Sequence, residues 1–194
     1  MSALEALAAL FGVVSVYLSV RENIWSWPTA IVNVGLYTIV FYQSRLYADM
    51  GLQVIYVVLS FYGWYQWLYG GKNRTELPVS RTPRRVALIL PVLGIAAAAA
   101  LGSVLHRTTN AALPYLDSAT TSTSLIAQWM MTRKLLENWL LWVAVDVVYI
   151  GMFIYKSLYL TAGLYLVFLV LSATGYFRWR RSLESQSAEV LRVA

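Results

Sequence analysis

The residues best suited to chemistry lie in the stretch 137–149, ENWLLWVAVDVVY, where one acid interrupts an apolar run. At about 100° per residue, Trp139, Trp142, Asp146 and Tyr149 fall within roughly 80° of arc on one helix face. An ionisable group inside a bilayer costs on the order of 3 kcal/mol, so it faces a partner or a cavity. The face therefore suits a flat, polar ligand; the alternative is that Asp146 pairs with a neighbouring helix and the tryptophans mark a membrane interface.

Polar stripes on other predicted helices extend this candidate site. Thr121, Ser124 and Gln128 share a face at i, i+3 and i+7, where they line a site or hydrogen-bond between helices. The predicted substrate-binding residues are Trp139, Trp142, Asp146, Tyr149, Gln128, Gln53, Asn33, Tyr37, Tyr56, Ser124 and Thr121. Aromatic faces attract cations by about 0.5–2 kcal/mol per contact, and amides and phenols recognise hydroxyls. We therefore expect a small, cationic aromatic ligand that carries hydroxyls.

The composition places the chain in a membrane and argues against an enzyme. Hydrophobic residues make up 59% and charged residues 12%, against roughly 25% charged in a soluble domain. There is no cysteine, and the single histidine, His106, lies in a predicted loop. Since no nucleophile–base pair, metal cluster or phosphate loop is recognisable, we expect no catalytic residue, no metal and no cofactor.

Seven stretches are long and apolar enough for transmembrane helices, which need about 20 residues with roughly 17–25 tolerated. The predicted spans are 4–20, 27–42, 50–69, 86–105, 120–131, 139–155 and 159–177. The first carries Glu5 and no leading Lys or Arg, so we interpret it as a span rather than a secretory signal.

Positive charges predict the orientation of these spans. Arg45, Arg107 and Lys156 lie on the side of the N-terminus, and the other 12 basic residues lie opposite. The positive-inside rule then places the N-terminus outside and the C-terminus in the cytoplasm. This distribution accounts for the net charge of +6 without a nucleic-acid partner, and the basic loop 72–85 suits membrane lipid headgroups.

An internal repeat relates the two halves. An offset of 112 lays 45–67 on 157–179, and nine of 23 positions are identical, among them Leu46 with Leu158 and Gly63 with Gly175. Upstream, an offset of 115 matches Trp27 with Trp142, which predicts about three extra residues near Pro28. We expect two parallel three-helix repeats joined by a linker helix. The predicted units are a first repeat, 1–70; a basic loop with helix 4, 71–110; a second repeat, 111–180; and a cytoplasmic tail, 181–194.

Not every aromatic residue is expected to touch ligand. Five lie where interfacial belts are expected, namely Trp25, Trp64, Trp67, Trp179 and Tyr69. Gly63 and Gly175, each four residues before a tryptophan, are interpreted as positions of close approach.

Segments in both halves resemble the PnuC family of vitamin-precursor transporters, best known for nicotinamide riboside. They are RENIWSWPTAIVN, LYADMGLQ and GWYQW, then ALPYLDSATTSTSLIAQ, ENWLLW, KSLYLTAGLY and GYFRW. The resemblance implies an all-α membrane protein with seven transmembrane helices in a 3+1+3 arrangement, similar to the SWEET fold. It also implies a bacterial inner-membrane homotrimer that works by facilitated diffusion, with a cytoplasmic kinase trapping the substrate. Trp139 and Trp142 match the family's WxxW, and Gln53 and Gln128 match polar positions expected to line the site.

Asp146 departs from the family, because some relatives carry Asn there. An anion favours a cationic substrate, so the charge suits nicotinamide riboside or thiamine and argues against neutral riboflavin. Two alternatives stay open: proton coupling through Asp146, and a membrane sensor or scaffold that binds the vitamin without moving it.

Overall fold

The computed structural model describes residues 3–43, 45, 47–108, 113–155 and 157–193. Leu46, Lys156 and the predicted boundary between residues 110 and 111 lie outside these ranges. The described part holds a 3₁₀ turn, Lys72–Arg74, and seven α-helices: α1 (Ala3–Val20), α2 (Ser26–Gln43), α3 (Tyr47–Tyr69), α4 (Arg84–Thr108), α5 (Pro114–Thr132), α6 (Asn138–Tyr155) and α7 (Tyr159–Val193). The predicted all-α fold class is confirmed, and an isolated bridge between Ser80 and Leu135 is the only strand-like pairing of the described residues.

Two helices, α5 and α7, extend well beyond their predicted spans. α5 begins at Pro114, whose fixed φ and missing N–H suit a first helical turn, so the run of Ser and Thr after it is helical. α7 continues past residue 177 to Val193. No Pro or Gly interrupts this extension, and Arg180 and Glu184 form an i, i+4 ion pair of 2.9 Å on its surface.

Four of the described helices are long and apolar enough to cross a membrane by length and composition: α1, α4, α6 and the part of α7 from Tyr159 to Gln186. α2, α3 and α5 carry polar residues such as Asn33, Gln53 and Gln128, which lowers their hydropathy. Those three side chains lie on the wall of an internal cavity. The polar residues that lower the hydropathy of these helices therefore face the cavity rather than lipid.

Six helices form a closed ring. In order around the ring, α1 packs on α2, α2 on α3, α3 on α5, α5 on α6, α6 on α7, and α7 on α1. α4 packs against α5 from outside the ring, and its outer face exposes side chains such as Leu88, Val92 and Ile95. The ring therefore encloses a space to which all helices except α4 contribute.

A cluster of tryptophans closes one end of the ring. Trp27 meets Trp67 edge-on at 5.3 Å, Trp139 meets Trp179 edge-on at 5.3 Å, and Trp67 and Trp179 touch at 5.8 Å. Trp67 and Trp179 are 2% and 0% exposed, so the prediction that they anchor the protein at the membrane interface is wrong. Both indoles belong to a packed core, and each N–H donates to a backbone carbonyl of the opposite half.

Positions related by the offset of 112 share unusual backbone conformations. Glu22 and Lys134 both have positive φ, 55° and 48°, and so do Arg45 and Ser157, at 57° and 58°. Positive φ is uncommon outside glycine, so these matches mark equivalent turns in the two halves.

The same relation between the halves holds for the tryptophan packing. A Cβ on Gly63 would overlap the Trp27 ring, and one on Gly175 would lie 2.6 Å from the Trp139 ring. Trp27 is therefore equivalent to Trp139, and the predicted match of Trp27 with Trp142, with extra residues near Pro28, is wrong. The glycines do permit close approach, here of an indole ring.

Candidate functional site

A cavity of about 410 Å³ lies inside the ring of six helices. This volume falls within the roughly 300–1,000 Å³ typical of small-molecule sites. Aromatic and aliphatic side chains form most of the wall, with a few amide, hydroxyl and carboxylate groups among them. A wall of this kind binds a flat organic molecule and orients it through a small number of polar contacts.

The cavity brings together eight of the eleven residues predicted from the sequence. They are Asn33, Tyr37, Gln53, Tyr56, Gln128, Trp139, Trp142 and Asp146. These residues come from α2, α3, α5 and α6, so the two halves of the chain both contribute to one site.

Asp146 is the charged group of the cavity wall. Its carboxylate is 3% exposed, and Oδ2 accepts a hydrogen bond of 3.1 Å from Ser172 on α7. None of the salt bridges found among the described residues involves Asp146. A buried carboxylate is stable when it is paired, so the positive charge of a ligand in the cavity would complement it.

Two indole donors at the cavity wall lack acceptors. Trp27 Nε1 and Trp139 Nε1 are buried without a hydrogen-bond partner, and so is the Ser60 hydroxyl. All three residues line the cavity. An unpaired buried donor costs about 1–3 kcal/mol. These three atoms lie in the packed layer behind the cavity surface, so a ligand would reach them only if the wall moved. Trp142 lies one turn beyond Trp139 and adds a half-buried aromatic surface.

The first-half wall is oriented by contacts between α1 and α2. Asn33 Nδ2 donates to the Ala8 carbonyl at 2.7 Å, and a Cβ on Gly12 would lie 3.0 Å from the same atom. The small residue at position 12 therefore lets the amide reach across to α1. One turn along, Tyr37 stacks on Phe41 at 5.8 Å, and both rings line the cavity.

Three predicted residues lie behind the cavity wall rather than on it. Tyr149 stacks on Phe153 at 5.8 Å and meets the tilted ring of Tyr165 at 4.9 Å, and both of these partners line the cavity. Thr121 lies within hydrogen-bonding reach of Tyr149. Ser124 lies beside the Tyr56 hydroxyl in the same way. These three residues support the aromatic side chains of the wall.

Several wall residues were not predicted from the sequence. Trp27, Tyr165, Phe168 and Ser172 line the cavity but were not among the predicted binding residues. A constant offset of 112 would have found Trp27 from Trp139. Nothing in the sequence distinguishes Tyr165 and Phe168 from other aromatic residues in apolar helices.

Within the described ranges, no group of three or more His, Asp or Glu side chains is placed to hold a metal ion. His106, in the last turn of α4, packs beside Tyr115 of the first turn of α5, with 5.9 Å between ring centroids. It does not belong to the cavity wall.

Comparisons with known proteins agree along nearly the whole chain. Residues 2–181 match the family described as "Nicotinamide mononucleotide transporter". The chain is 29% identical to the nicotinamide riboside transporter PnuC of Escherichia coli (strain K12), covering 98% of this chain and 90% of the relative. It is 25% identical to the riboflavin/roseoflavin transporter RibM of Streptomyces davaonensis, covering 96% and 89%.

A solved structure shares the fold. The crystal structure of the vitamin B3 transporter PnuC superposes with a TM-score of 0.74 at 26% identity, covering 94% of this chain and 82% of that one. The family and these relatives are transporters rather than enzymes, and the apolar helices make the chain an integral membrane protein. The match over residues 2–181, together with the shared fold, shows that the chain belongs to the nicotinamide mononucleotide transporter family, the PnuC transporters.

Proposed function

We propose that this protein moves nicotinamide riboside across the membrane by facilitated diffusion. The observation that carries the proposal is the Asp146 carboxylate, buried in the cavity wall beside Trp139 and Trp142 without a protein cation among its described partners. A pyridinium ring would meet the carboxylate and the aromatic faces. The ribose hydroxyls would meet the amides of Gln53 and Gln128. The similarity to nicotinamide riboside transporters supports the same substrate.

Uptake into proteoliposomes tests the proposal. Purified protein should equilibrate radiolabelled nicotinamide riboside across the bilayer, while empty liposomes should not. A sensor or scaffold would bind the molecule in calorimetry and show no flux. A rate that depends on an imposed proton gradient would favour proton coupling through Asp146 over facilitated diffusion.

Thiamine and riboflavin are the alternative substrates. Likeness to a riboflavin/roseoflavin transporter supports riboflavin, whereas the Asp146 charge favours a cation such as thiamine or nicotinamide riboside. Binding measured against the three vitamins in parallel separates them. We expect nicotinamide riboside to bind at least about tenfold more tightly than riboflavin, a difference of about 1.4 kcal/mol.

We further infer that seven helices cross the membrane in a 3+1+3 arrangement, with the units 1–70, 71–110, 111–180 and 181–194. The N-terminus would lie outside a bacterial inner membrane and the C-terminus in the cytoplasm. The equivalent turns of the two halves and the distribution of basic residues support this. Because the chain has no cysteine, single cysteines in each loop, labelled with an impermeant maleimide, test every crossing.

We also propose that the protein assembles as a homotrimer and that a cytoplasmic kinase phosphorylates the transported substrate. The resemblance to PnuC transporters supports both. Native mass spectrometry of the purified protein should give three copies, and a monomer would contradict the assembly. Proteoliposomes loaded with a nicotinamide riboside kinase and ATP should accumulate phosphorylated product beyond equilibrium, whereas liposomes without kinase should stop at equal concentrations.

A further inference from the structure

Two turns and one extended segment cover one end of the cavity. They are the α1–α2 turn (residues 21–25), the α5–α6 turn (residues 133–137) and the extended segment 75–82, which we call the strap. The tryptophan cluster lies between these turns and the cavity, with Val79 of the strap 2% exposed against it. The path from the cavity toward this strap end is therefore filled with packed side chains.

Two indoles tie the halves together at the strap end. Trp67 Nε1 of α3 donates to the Met131 carbonyl of α5 at 3.0 Å. Trp179 Nε1 of α7 donates to the Ser19 carbonyl of α1 at 3.0 Å. Met131 and Ser19 line the cavity, so both ties hold cavity-wall residues of one half to a helix of the other.

An ion pair joins the two equivalent turns above the indoles. Lys134 Nζ lies 3.6 Å from Glu22 Oε2 and 4.5 Å over the Trp67 ring. Lys134 is only 5% exposed, and burial lowers the pKa of its ammonium while Glu22 and Glu76 oppose that shift. The buried charge therefore depends on carboxylates outside its own turn. Glu22 and Lys134 also occupy equivalent positions of the repeat, with positive φ at both.

The strap fastens onto the α5–α6 turn through its backbone. Ser80 N donates to the Lys134 carbonyl at 3.0 Å, and Leu136 N donates to the Ser80 carbonyl at 2.9 Å. At its far end, Thr82 donates to Glu137 Oε2 from both N and Oγ1, at 2.8 and 2.6 Å. Separation of the α5–α6 turn from the strap would break these four bonds.

We propose that the strap and the Glu22–Lys134 pair form the closed gate at the strap end, and that substrate crosses this end only when the strap leaves residues 134–136. The inference rests on the proposed transport function. The polar contacts that hold the gate shut above the tryptophan cluster are the ion pairs Lys134–Glu22 and Arg81–Glu137, two indole hydrogen bonds, two bonds of the backbone bridge and two from Thr82 to Glu137. Such contacts can break and re-form in each cycle, as lids do in other proteins.

A reversible crosslink tests the gate in this cysteine-free chain. Ser80 and Leu135 are bridge partners; bridged strands lie about 4.8 Å apart, within the roughly 4.4–6.8 Å between Cα atoms that disulfides use. In proteoliposomes of S80C/L135C, oxidation should lower nicotinamide riboside uptake at least about tenfold, and reductant should restore it. The two single-cysteine variants should not respond.

Two results would overturn the gate: a verified disulfide that leaves uptake unchanged, or two cysteines that do not join on oxidation. Absence of uptake by the unmodified protein would instead contradict the proposed function.

A second measurement needs no transport. A reporter S19C at the cavity wall should react with an impermeant maleimide roughly 5-fold faster when Lys134→Gln weakens the ion pair. Lys72→Gln, at an exposed lysine of the 3₁₀ turn before the strap, is the control, and equal labelling in both variants also refutes the gate.

Discussion

Replacement of Asp146 by Asn tests whether the negative charge of this side chain contributes to binding of a cationic ligand. The substitution keeps the shape and one hydrogen-bond acceptor for Ser172 and removes the negative charge. It changes the charge at a position that is 3% exposed in the cavity wall, where solvent screens weakly.

The size of the effect follows from Coulomb's law. A cationic ring about 8 Å from the carboxylate, at an effective dielectric constant of about 20, is stabilised by about 2 kcal/mol. Loss of that term weakens binding about 30-fold, since about 1.4 kcal/mol is a factor of ten in Kd. The substitution should act on binding of the cation and leave the fold intact.

Calorimetry on purified D146N measures the change directly. D49N is the matched control, because Asp49 is an exposed carboxylate of α3 that does not line the cavity. Reduced nicotinamide riboside, which is uncharged, should bind both variants equally. Unchanged affinity of D146N for the cation, or an equal loss for the uncharged form, would refute the electrostatic reasoning.

Three further predictions concern the aromatic wall and its supports. Gly175→Ala should lower stability by about 1–3 kcal/mol in thermal unfolding because its Cβ meets an indole, whereas Gly163→Ala has open space and should be neutral. Trp142→Ala should weaken binding of nicotinamide riboside by about 0.5–2 kcal/mol in calorimetry, with neutral riboflavin less affected. Trp179→Phe should cost about 1–2 kcal/mol by loss of its buried hydrogen bond to α1, and Trp25→Phe, which alters an exposed ring, should leave the melting temperature unchanged.

The sequence allowed most of the fold to be predicted because membrane helices are encoded locally. Apolar runs and charged loops predict the helices within a few residues, except where α5 begins early at Pro114 and where α7 continues to Val193. The site was predicted in part for a related reason: polar residues in apolar helices are costly unless they face a cavity. Asp146, Gln53 and Gln128 stand out for that reason, and all three line the cavity.

Tryptophan was the residue that sequence reasoning placed least well. An indole is equally suited to a membrane interface and to a buried hydrogen bond, and composition does not separate the two uses. The buried indoles of Trp67 and Trp179 donate hydrogen bonds to backbone carbonyls of the other half of the chain, on α5 and α1. Only the three-dimensional packing reveals such a partner.

The repeat keeps several residues at and beside the site identical in the two halves: Trp27 with Trp139, Gly63 with Gly175, and Ser60 with Ser172. The stacked pairs Tyr37–Phe41 and Tyr149–Phe153 even share their spacing of 5.8 Å.

The lining differs between the halves, because Val34 corresponds to Asp146 and Ala30 to Trp142. An asymmetric wall gives a bound molecule a single favourable orientation. The charge and the larger aromatic surface both belong to α6, so the cationic part of a ligand belongs on that side.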